Sequence, residues 1–475
     1  MRILLIHPPK SPVAVAPMNM EPLALEVLAA AVPEQVVQIL DLRFEGHDAL
    51  RRTLLSFLPR LVGVTVNSTI YVKSAYGVLR EVREVLPASQ VVVGGNHPTL
   101  APEDFTMPEV DALFLGWADV SFPAYVRALE TGGDMKNVPG VRALAGGVPV
   151  GDEPGVSRVL AQDVQLPNRS LTRRYWGRYR DELGRRTYLV NTVRGCPDRC
   201  TFCACWPAAG GRVLVRTPQD VARELEALPR GGVRVFFADD HTFADVHRAE
   251  ELCRRIQHEH AGRRYSGYTR ADTVVKHVEL FEAWRRAGLK DITIGVEAAS
   301  DARLSRMQKG TSTRINEEAI RILHRLDITP FAQLLVDPDF DEKDFDELSE
   351  FVRRTNLSHP IFVILTPLPG TVLYEQQRSR ITMPYEYFDF AHAIVPTRLS
   401  LERFLVRFSR LYRDAYSLRR NLRQRLQRAG VRPAPRGDRS ELPRPVDLLR
   451  LAGWHVLAGP LESRLRRHHG LDVRR

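Results

Sequence analysis

The feature that most limits what this chain can become is RGCPDRCTFCACW at residues 194–206, which sets Cys196, Cys200 and Cys203 in a C-x3-C-x2-C array, with Phe202 directly before the third cysteine. Three thiolates this close in sequence can reach one metal centre and leave a coordination position open, whereas iron–sulfur clusters that only carry electrons normally take four protein ligands. An open iron is a place to bind a substrate. The competing reading is a structural zinc site with Cys205 or His241 as fourth ligand. Such sites usually pair two C-x-x-C knuckles or add a clear histidine pair, and the sequence offers neither. Cys205, two residues beyond the third cysteine, is read as a bystander that faces another direction, with ligation as the minor alternative.

The remaining cysteine, Cys253, lies alone in a helical pattern, so the five cysteines form no disulfide framework. The chain of 475 residues is 44% apolar, enough for two cores and for two to four domains. MRILLIHPPK lacks the basic and apolar regions of a secretory signal, and no apolar run approaches about 20 residues, so a cytoplasmic protein is expected. The net charge of +11 is uneven: residues 401–475 hold 19 Arg and no Lys against 7 acidic residues, whereas residues 1–400 hold 49 basic and 50 acidic ones. The basicity belongs to a tail. A solvated helix face is its plain reading, and phosphate-bearing partners, RNA or an anionic membrane surface are the alternatives.

RILLIH at 2–7 reads as a buried strand, and VQILDLR, LVGVTVNS, QVVVGGNHP and ALFLGW recur as apolar runs separated by helical segments such as SAYGVLREVREVL. That alternation predicts an α/β fold with a doubly wound, Rossmann-like parallel sheet whose ligands bind at the carboxyl ends of its strands. The candidate contacts there are His7, Pro8 and Pro9 after the first strand, Asn67 and Ser68 after the third, and Gly94, Gly95, Asn96 and His97 after the fourth. No G-x-G-x-x-G follows the first strand, which disfavours a dinucleotide. Residues 146–186 are rich in Gly, Pro, Asp and Arg and read as a linker. TYLVNTV then leads into the cysteine loop. VRVFFADD, YSGYTRAD, DITIGVEAAS, FAQLLVDPDF and IFVILTPLPGT follow, separated by helices, which makes six strands, as in a partial barrel with its chemistry at the strand ends. From about Pro396 the pattern is helical, with Leu401, Phe404, Leu405, Phe408, Leu411 and Tyr412 on one face of a cover helix. Residues 431–442 are rich in Pro and Arg, and a short amphipathic run surrounds Trp454.

Residues 1–145 resemble the cobalamin-binding domain that precedes many radical S-adenosylmethionine (SAM) domains, on IHPPK, PLALEVLAA and VGGNHPT. They depart from it in lacking the D-x-H-x-x-G motif that supplies a lower axial histidine, and in carrying GWAD at 116–119 where G-x-G-E is expected. Residues 187–395 resemble the radical SAM partial (βα)6 barrel, and 396–475 form an Arg-rich helical extension. RGCPDRCTFCACW, FADDHTF, TRADTVVKHVELFEAW, IGVEAASDARL, LVDPDFDEKDF and FVILTPLPGTVLY, in that order, resemble the cobalamin-dependent radical SAM methylases (class B), and most closely the hopanoid C-3 methylase group.

The resemblance implies a 4Fe-4S cluster on Cys196, Cys200 and Cys203, with SAM chelating the open iron near Phe202. It implies that Asp239 and Asp240 handle the SAM amino group, and that Arg270 and Glu297 handle its carboxylate and ribose hydroxyls. Salt bridges within the barrel mouth are the plain alternative for these residues. Asp337 and Asp339 are open between nucleoside and substrate. His7 and His97 are candidates near cobalt, with packing or hydrogen bonding as the plainer roles. The implied reaction makes methylcobalamin from one SAM, cleaves a second to a 5′-deoxyadenosyl radical, and methylates an unactivated carbon, with a low-potential ferredoxin or flavodoxin as electron donor. A hopanoid, other polycyclic lipid or small natural product is the expected substrate, with peripheral contact to the inner membrane face through the tail. The alternatives are a cyclase or rearrangement enzyme with the same cofactors and an RNA-modifying or RNA-binding protein; nucleic acid is not the first reading.

Overall fold

The computed structural model describes residues 1–15, 19–152, 157–181, 184–229, 233–416 and 461–471. Residues 417–460, which hold the Pro/Arg-rich stretch and the run around Trp454, lie outside them. The chain divides into two compact units. The first comprises Met1–Arg263, Pro367–Arg378 and Pro384–Asp389, and the second comprises Arg264–Thr366, Ser379–Met383 and the chain from Phe390 onward.

In the first unit, β1 (Arg2–His7), α1 (Leu23–Ala30), β2 (Val36–Asp41), α2 (Ala49–Phe57), β3 (Leu61–Thr65), α3 (Val72–Val85), β4 (Gln90–Gly94), α4 (Asn96–Leu100), β5 (Ala112–Phe114) and α5 (Ser121–Thr131) alternate as the sequence predicts. The antiparallel β6 (Val141–Ala145) and β7 (Val148–Pro149) complete a sheet of order β2-β1-β3-β4-β5-β6-β7. Because side chains alternate across a strand, β1 buries Leu4 and Ile6 on one face with Leu50 and Leu54 of α2 and Val78 and Leu79 of α3. Its Ile3 and Leu5 go to the other face with Leu25 of α1 and Tyr125 and Val126 of α5. Both faces are covered, which explains strands that are apolar throughout.

The stretch 146–186, expected as a linker, is more ordered than its composition suggests. It carries β7 and a 3-10 turn, Arg169–Tyr175, in which Arg169, Thr172 and Tyr175 are buried. A buried ionic group gives the reason. Arg169 bonds Glu224 at 2.7 Å and the Leu189 carbonyl at 2.5 Å, and lies 3.5 Å from Glu21, which itself accepts the Leu189 amide at 2.5 Å.

The first unit continues with β8 (Thr187–Val190), β9 (Val193–Arg194), α6 (Cys205–Ala208), β10 (Leu214–Val215), α7 (Pro218–Glu226), β11 (Arg234–Phe237) and α8 (Val246–Glu259). β8 and β11 are parallel, and β9 and β10 form a small antiparallel pair around the cysteine loop. Thr217 caps α7 by accepting the Asp220 amide at 3.2 Å, with Pro218 pre-set for the first turn.

The second unit holds β12 (Arg264–Ser266), β13 (Tyr268–Arg270), α9 (Ala271–Lys276), α10 (Val278–Ala287), β14 (Asp291–Glu297), α11 (Asp301–Arg306), α12 (Thr313–Arg325), β15 (Thr329–Val336), α13 (Glu342–Arg354) and β16 (His359–Ile364). The single run YSGYTRAD is thus two short strands broken at Gly267. β13, β14, β15 and β16 form one parallel sheet in that order. With β8 and β11 they account for the six expected strands. α14 (Val372–Gln377) returns to the first unit, and α15 (Leu401–Ala415) buries Phe404, Leu405, Phe408 and Leu411, as its apolar face predicts. Tyr412 of α15 donates to the Phe362 carbonyl of β16 at 2.5 Å. No helix among the described residues is long and apolar enough to cross a membrane.

Candidate active site

A sheet of order 2-1-3-4-5 has its topological switch point between β1 and β3, where the connections diverge and leave a crevice at the carboxyl ends. All nine residues expected near cobalamin stand at the ends of β1, β3 and β4. The close approach needed there is built into Gly95, whose φ is +122°. A Cβ on it would lie 2.7 Å from the Val66 carbonyl and 2.8 Å from Asn67 Oδ1. A side chain is therefore excluded at this position, where the loop folds close against the Val66 carbonyl. His97 is buried, with Nδ1 3.1 Å from Thr69 Oγ1 and Nε2 2.9 Å from Asp104 Oδ2, so both ring nitrogens have partners within the chain. His7 Nδ1 lies 2.9 Å from the Pro8 carbonyl, and its ring packs edge-on to Tyr71. Burial, with the Arg43 charge beside it, lowers the His7 pKa to about 4, so its imidazole is neutral at physiological pH.

The cysteine loop belongs to the same unit. Asp239, at the end of β11, accepts from the Thr192 amide at 2.5 Å, the Thr192 hydroxyl at 2.6 Å and the Val193 amide at 2.8 Å. Asp240 accepts the Gly195 amide at 2.6 Å. Gly195 sits at φ +81°, and a Cβ there would collide with the Arg212 carbonyl. The two carboxylates expected to meet the SAM amino group are thus turned to the entry of the loop, and they fix where it starts. Within the loop the Cys203 amide donates to the Cys200 carbonyl at 3.2 Å, and Trp206 Nε1 donates to the same oxygen at 3.1 Å. Cys200 is buried, while Cys196, Cys203 and Phe202 are partly exposed. Burial pushes the Cys196 thiol up to about 12, and its sulfur donates to Asp198 at 3.5 Å, within a group that also includes His241. Three soft sulfur donors on one tight loop fit an iron–sulfur cluster, whereas the second knuckle or histidine pair of a zinc finger is not found among the described residues.

The loop and the sheet's switch region touch. Helix α6, which begins at Cys205, packs on α4, which begins just after Gly95. Arg194 pairs with Asp119 of the GWAD loop at 2.7 Å, and Arg212 stacks over Trp117 of the same loop. PLPGT at 367–371 closes on both: Gly370 abuts Leu100, and the Leu373 amide donates to the Thr201 carbonyl at 2.9 Å.

In the second unit, Glu297 ends β14 at a bulge with φ +65°, a conformation a glutamate adopts only under strain, and such strain gathers at functional sites. Its carboxylate accepts from Lys309 Nζ at 2.7 Å, and the Lys309 carbonyl accepts from Arg270 Nη2 at the end of β13. Gly295 leaves room for this pair, since a Cβ there would stand 2.6 Å from Lys309 Nζ. Arg270 and Glu297 are therefore brought to one place, joined through Lys309. Asp337 instead pairs with Arg303 at 2.9 Å and accepts the Asp339 amide at 3.0 Å, while Asp339 is exposed.

Sequence reasoning missed the partners of the loop. Thr192 and the Glu21, Glu26, Arg169, Glu224 and Arg216 group are buried and bonded to one another or to the strand ahead of the cysteines. Two glutamates in the otherwise apolar MEPLALEVLAA were the available signal.

Residues 190–352 match the family model described as the radical SAM superfamily, and residues 9–126 match the B12 binding domain. The hopanoid C-3 methylase of Methylococcus capsulatus is 28% identical over 422 residues, covering 85% of this chain and 78% of the relative. The anaerobic magnesium-protoporphyrin IX monomethyl ester cyclase of Cereibacter sphaeroides is 30% identical over 362 residues, covering 73% and 57% respectively. Among solved structures, the radical SAM methyltransferase TsrM from Kitasatospora setae, with cobalamin and a 4Fe-4S cluster bound, superposes with a TM-score of 0.69 at 19% identity, covering 99% of each chain.

Proposed function

The chain belongs to the radical SAM enzymes that carry a B12 binding domain, and from that premise we propose that it methylates an unactivated carbon of a polycyclic lipid of the hopanoid kind. The observation that carries the methyltransferase reading is the packing of α6 on α4 within one unit, which sets the thiol loop beside the glycine-lined crevice. The hopanoid relative, matched along most of both chains, supports the substrate class.

Cys196, Cys200 and Cys203 would hold the 4Fe-4S cluster, Gly94, Gly95, Asn96, Asn67 and Ser68 would flank cobalamin, and Arg270 and Glu297 would take the carboxylate and ribose hydroxyls of SAM. When bound, these groups supply the electron that opens SAM and the methyl group that is transferred. A carbon without an acidic proton or lone pair cannot attack SAM directly, which is why such chemistry is needed. The chain's own part is orientation. The guanidinium fork of Arg270 suits a carboxylate, and the Glu297 oxygens suit a diol. Asp239 and Asp240 hold the loop's entry through four hydrogen bonds, so the thiols are set before anything binds.

The test is anaerobic reconstitution with iron, sulfide, cobalamin and methyl-labelled SAM, incubated with a lipid extract and a low-potential ferredoxin or flavodoxin. Labelled lipid heavier by one methylene is the expected product. Cys196→Ala, Cys200→Ala or Cys203→Ala should each abolish 5′-deoxyadenosine formation. The cyclase relative favours one second reading, cyclisation without methyl transfer. A product with no label and no added methylene would establish that reading instead.

A further inference from the structure

The GWAD loop at 116–119 lies between the crevice and the thiol loop, within the first unit, and is bonded to both. On the crevice side, the Thr99 hydroxyl of α4 donates to the Gly95 carbonyl at 2.8 Å and accepts the Gly116 amide at 2.8 Å. The glycine that shapes the crevice and the first residue of the GWAD loop thus share one side chain. On the thiol side, Asp119 accepts from Arg194 Nη1 at 2.7 Å, two residues before Cys196. Arg194 Nε also donates to Asn191 Oδ1 at 2.8 Å, which anchors the guanidinium just past β8. The Asp119 and Arg194 side chains are only 4% and 17% exposed, so little water competes for their bond. Trp117 adds a second contact, since its ring lies 4.9 Å from the Arg212 guanidinium and the Arg212 carbonyl is the group against which Gly195 is pressed.

A chain of bonded groups therefore runs from Gly95 through Thr99, the GWAD loop and Asp119 to Arg194, and it can be ordered from either end. Resting on the functional reading above, we propose that Asp119 and Thr99 are positioning residues that couple the two cofactor sites. A cluster on the thiol loop tightens the hold of the crevice on cobalamin, and linkage makes the effect reciprocal. The physical reason is entropic: whichever group binds first fixes the shared loop, and the second binds without having to order it again. Each residue acts through its bonded neighbour, Arg194 or Gly95, and not on a reacting atom.

The experiment compares the full chain with Asp119→Ala, Asp119→Glu, Thr99→Val and, as a remote control, Arg51→Ala, which removes an exposed ion pair with Glu84. Each is titrated anaerobically with hydroxocobalamin before and after reconstitution with iron and sulfide, and the ratio of the two dissociation constants is compared at matched iron content. In the unaltered chain and in Arg51→Ala the cluster is expected to tighten cobalamin by about fivefold or more. In Asp119→Ala the ratio falls toward one. The same fall is expected in Thr99→Val, which breaks the chain of bonds at its other end and leaves the ion pair intact. Asp119→Glu, which keeps the charge, returns most of the ratio. A merely structural role would weaken cobalamin equally with and without the cluster and leave the ratio unchanged; that result in Asp119→Ala or Thr99→Val would overturn the proposal. A ratio of one in the unaltered chain, with both cofactors bound, would overturn it as well. If the unaltered chain takes up no iron or no cobalamin, the functional reading itself fails, and this inference with it.

Discussion

Gly95 shows how one residue can shape the crevice. At φ +122° and ψ −176° it occupies a region essentially closed to other residues, and the nearest backbone atom stands 2.7 Å from where a Cβ would be. Gly95→Ala is expected to lower stability by about 1–3 kcal/mol and to reduce the cobalamin retained after desalting, read from the absorbance of the cofactor. His7, at the end of the neighbouring strand, contributes a pH dependence. The folded chain keeps it neutral down to about pH 4, while the unfolded chain protonates it near its ordinary 6.5. Its contribution to stability is present above 6.5 and is lost as pH falls through that window.

Among elements, the 3-10 turn Arg169–Tyr175 is held by buried charges that respond to pH in the opposite sense. Burial, with Glu26 beside it, pushes the Glu21 carboxyl up to about 8 from its ordinary 4.5. Between those values the folded chain keeps a proton that the unfolded chain has released, so stability falls as pH rises through the window, by at most ~1.4 kcal/mol per pH unit. Glu21→Gln should flatten that fall, measured as the urea midpoint at pH 5 to 8. The end of β14 gives a second test. Lys309 and Glu297 form an ion pair with side chains only 9% and 6% exposed, so Lys309→Met strands a buried carboxylate. The expected loss is about 3–5 kcal/mol, and Glu297→Gln added to it should restore most of the stability in a double-mutant cycle.

At the scale of the whole molecule, charge and chemistry are separated along the chain. The surplus of basic residues lies after Leu401, while the thiol loop and the crevice share the first unit. Truncation after residue 416 should leave iron and cobalamin uptake unchanged while abolishing flotation with anionic liposomes; equal flotation of both forms would remove the tail from any membrane role. The sequence by itself determined the doubly wound sheet, the six later strands and the three thiols, because apolar periodicity and cysteine spacing are local and survive without knowledge of neighbours. Tertiary structure alone decided what the polar residues do. Asp239 and Asp240, legible only as acids at a strand end, face the loop entry; His97 is engaged by Thr69 and Asp104; Lys309 joins Arg270 to Glu297. A hydrogen bond forms between groups brought together from distant parts of the chain, 47 residues apart for Asp239 and Thr192, and no local pattern records which of the available partners will be near.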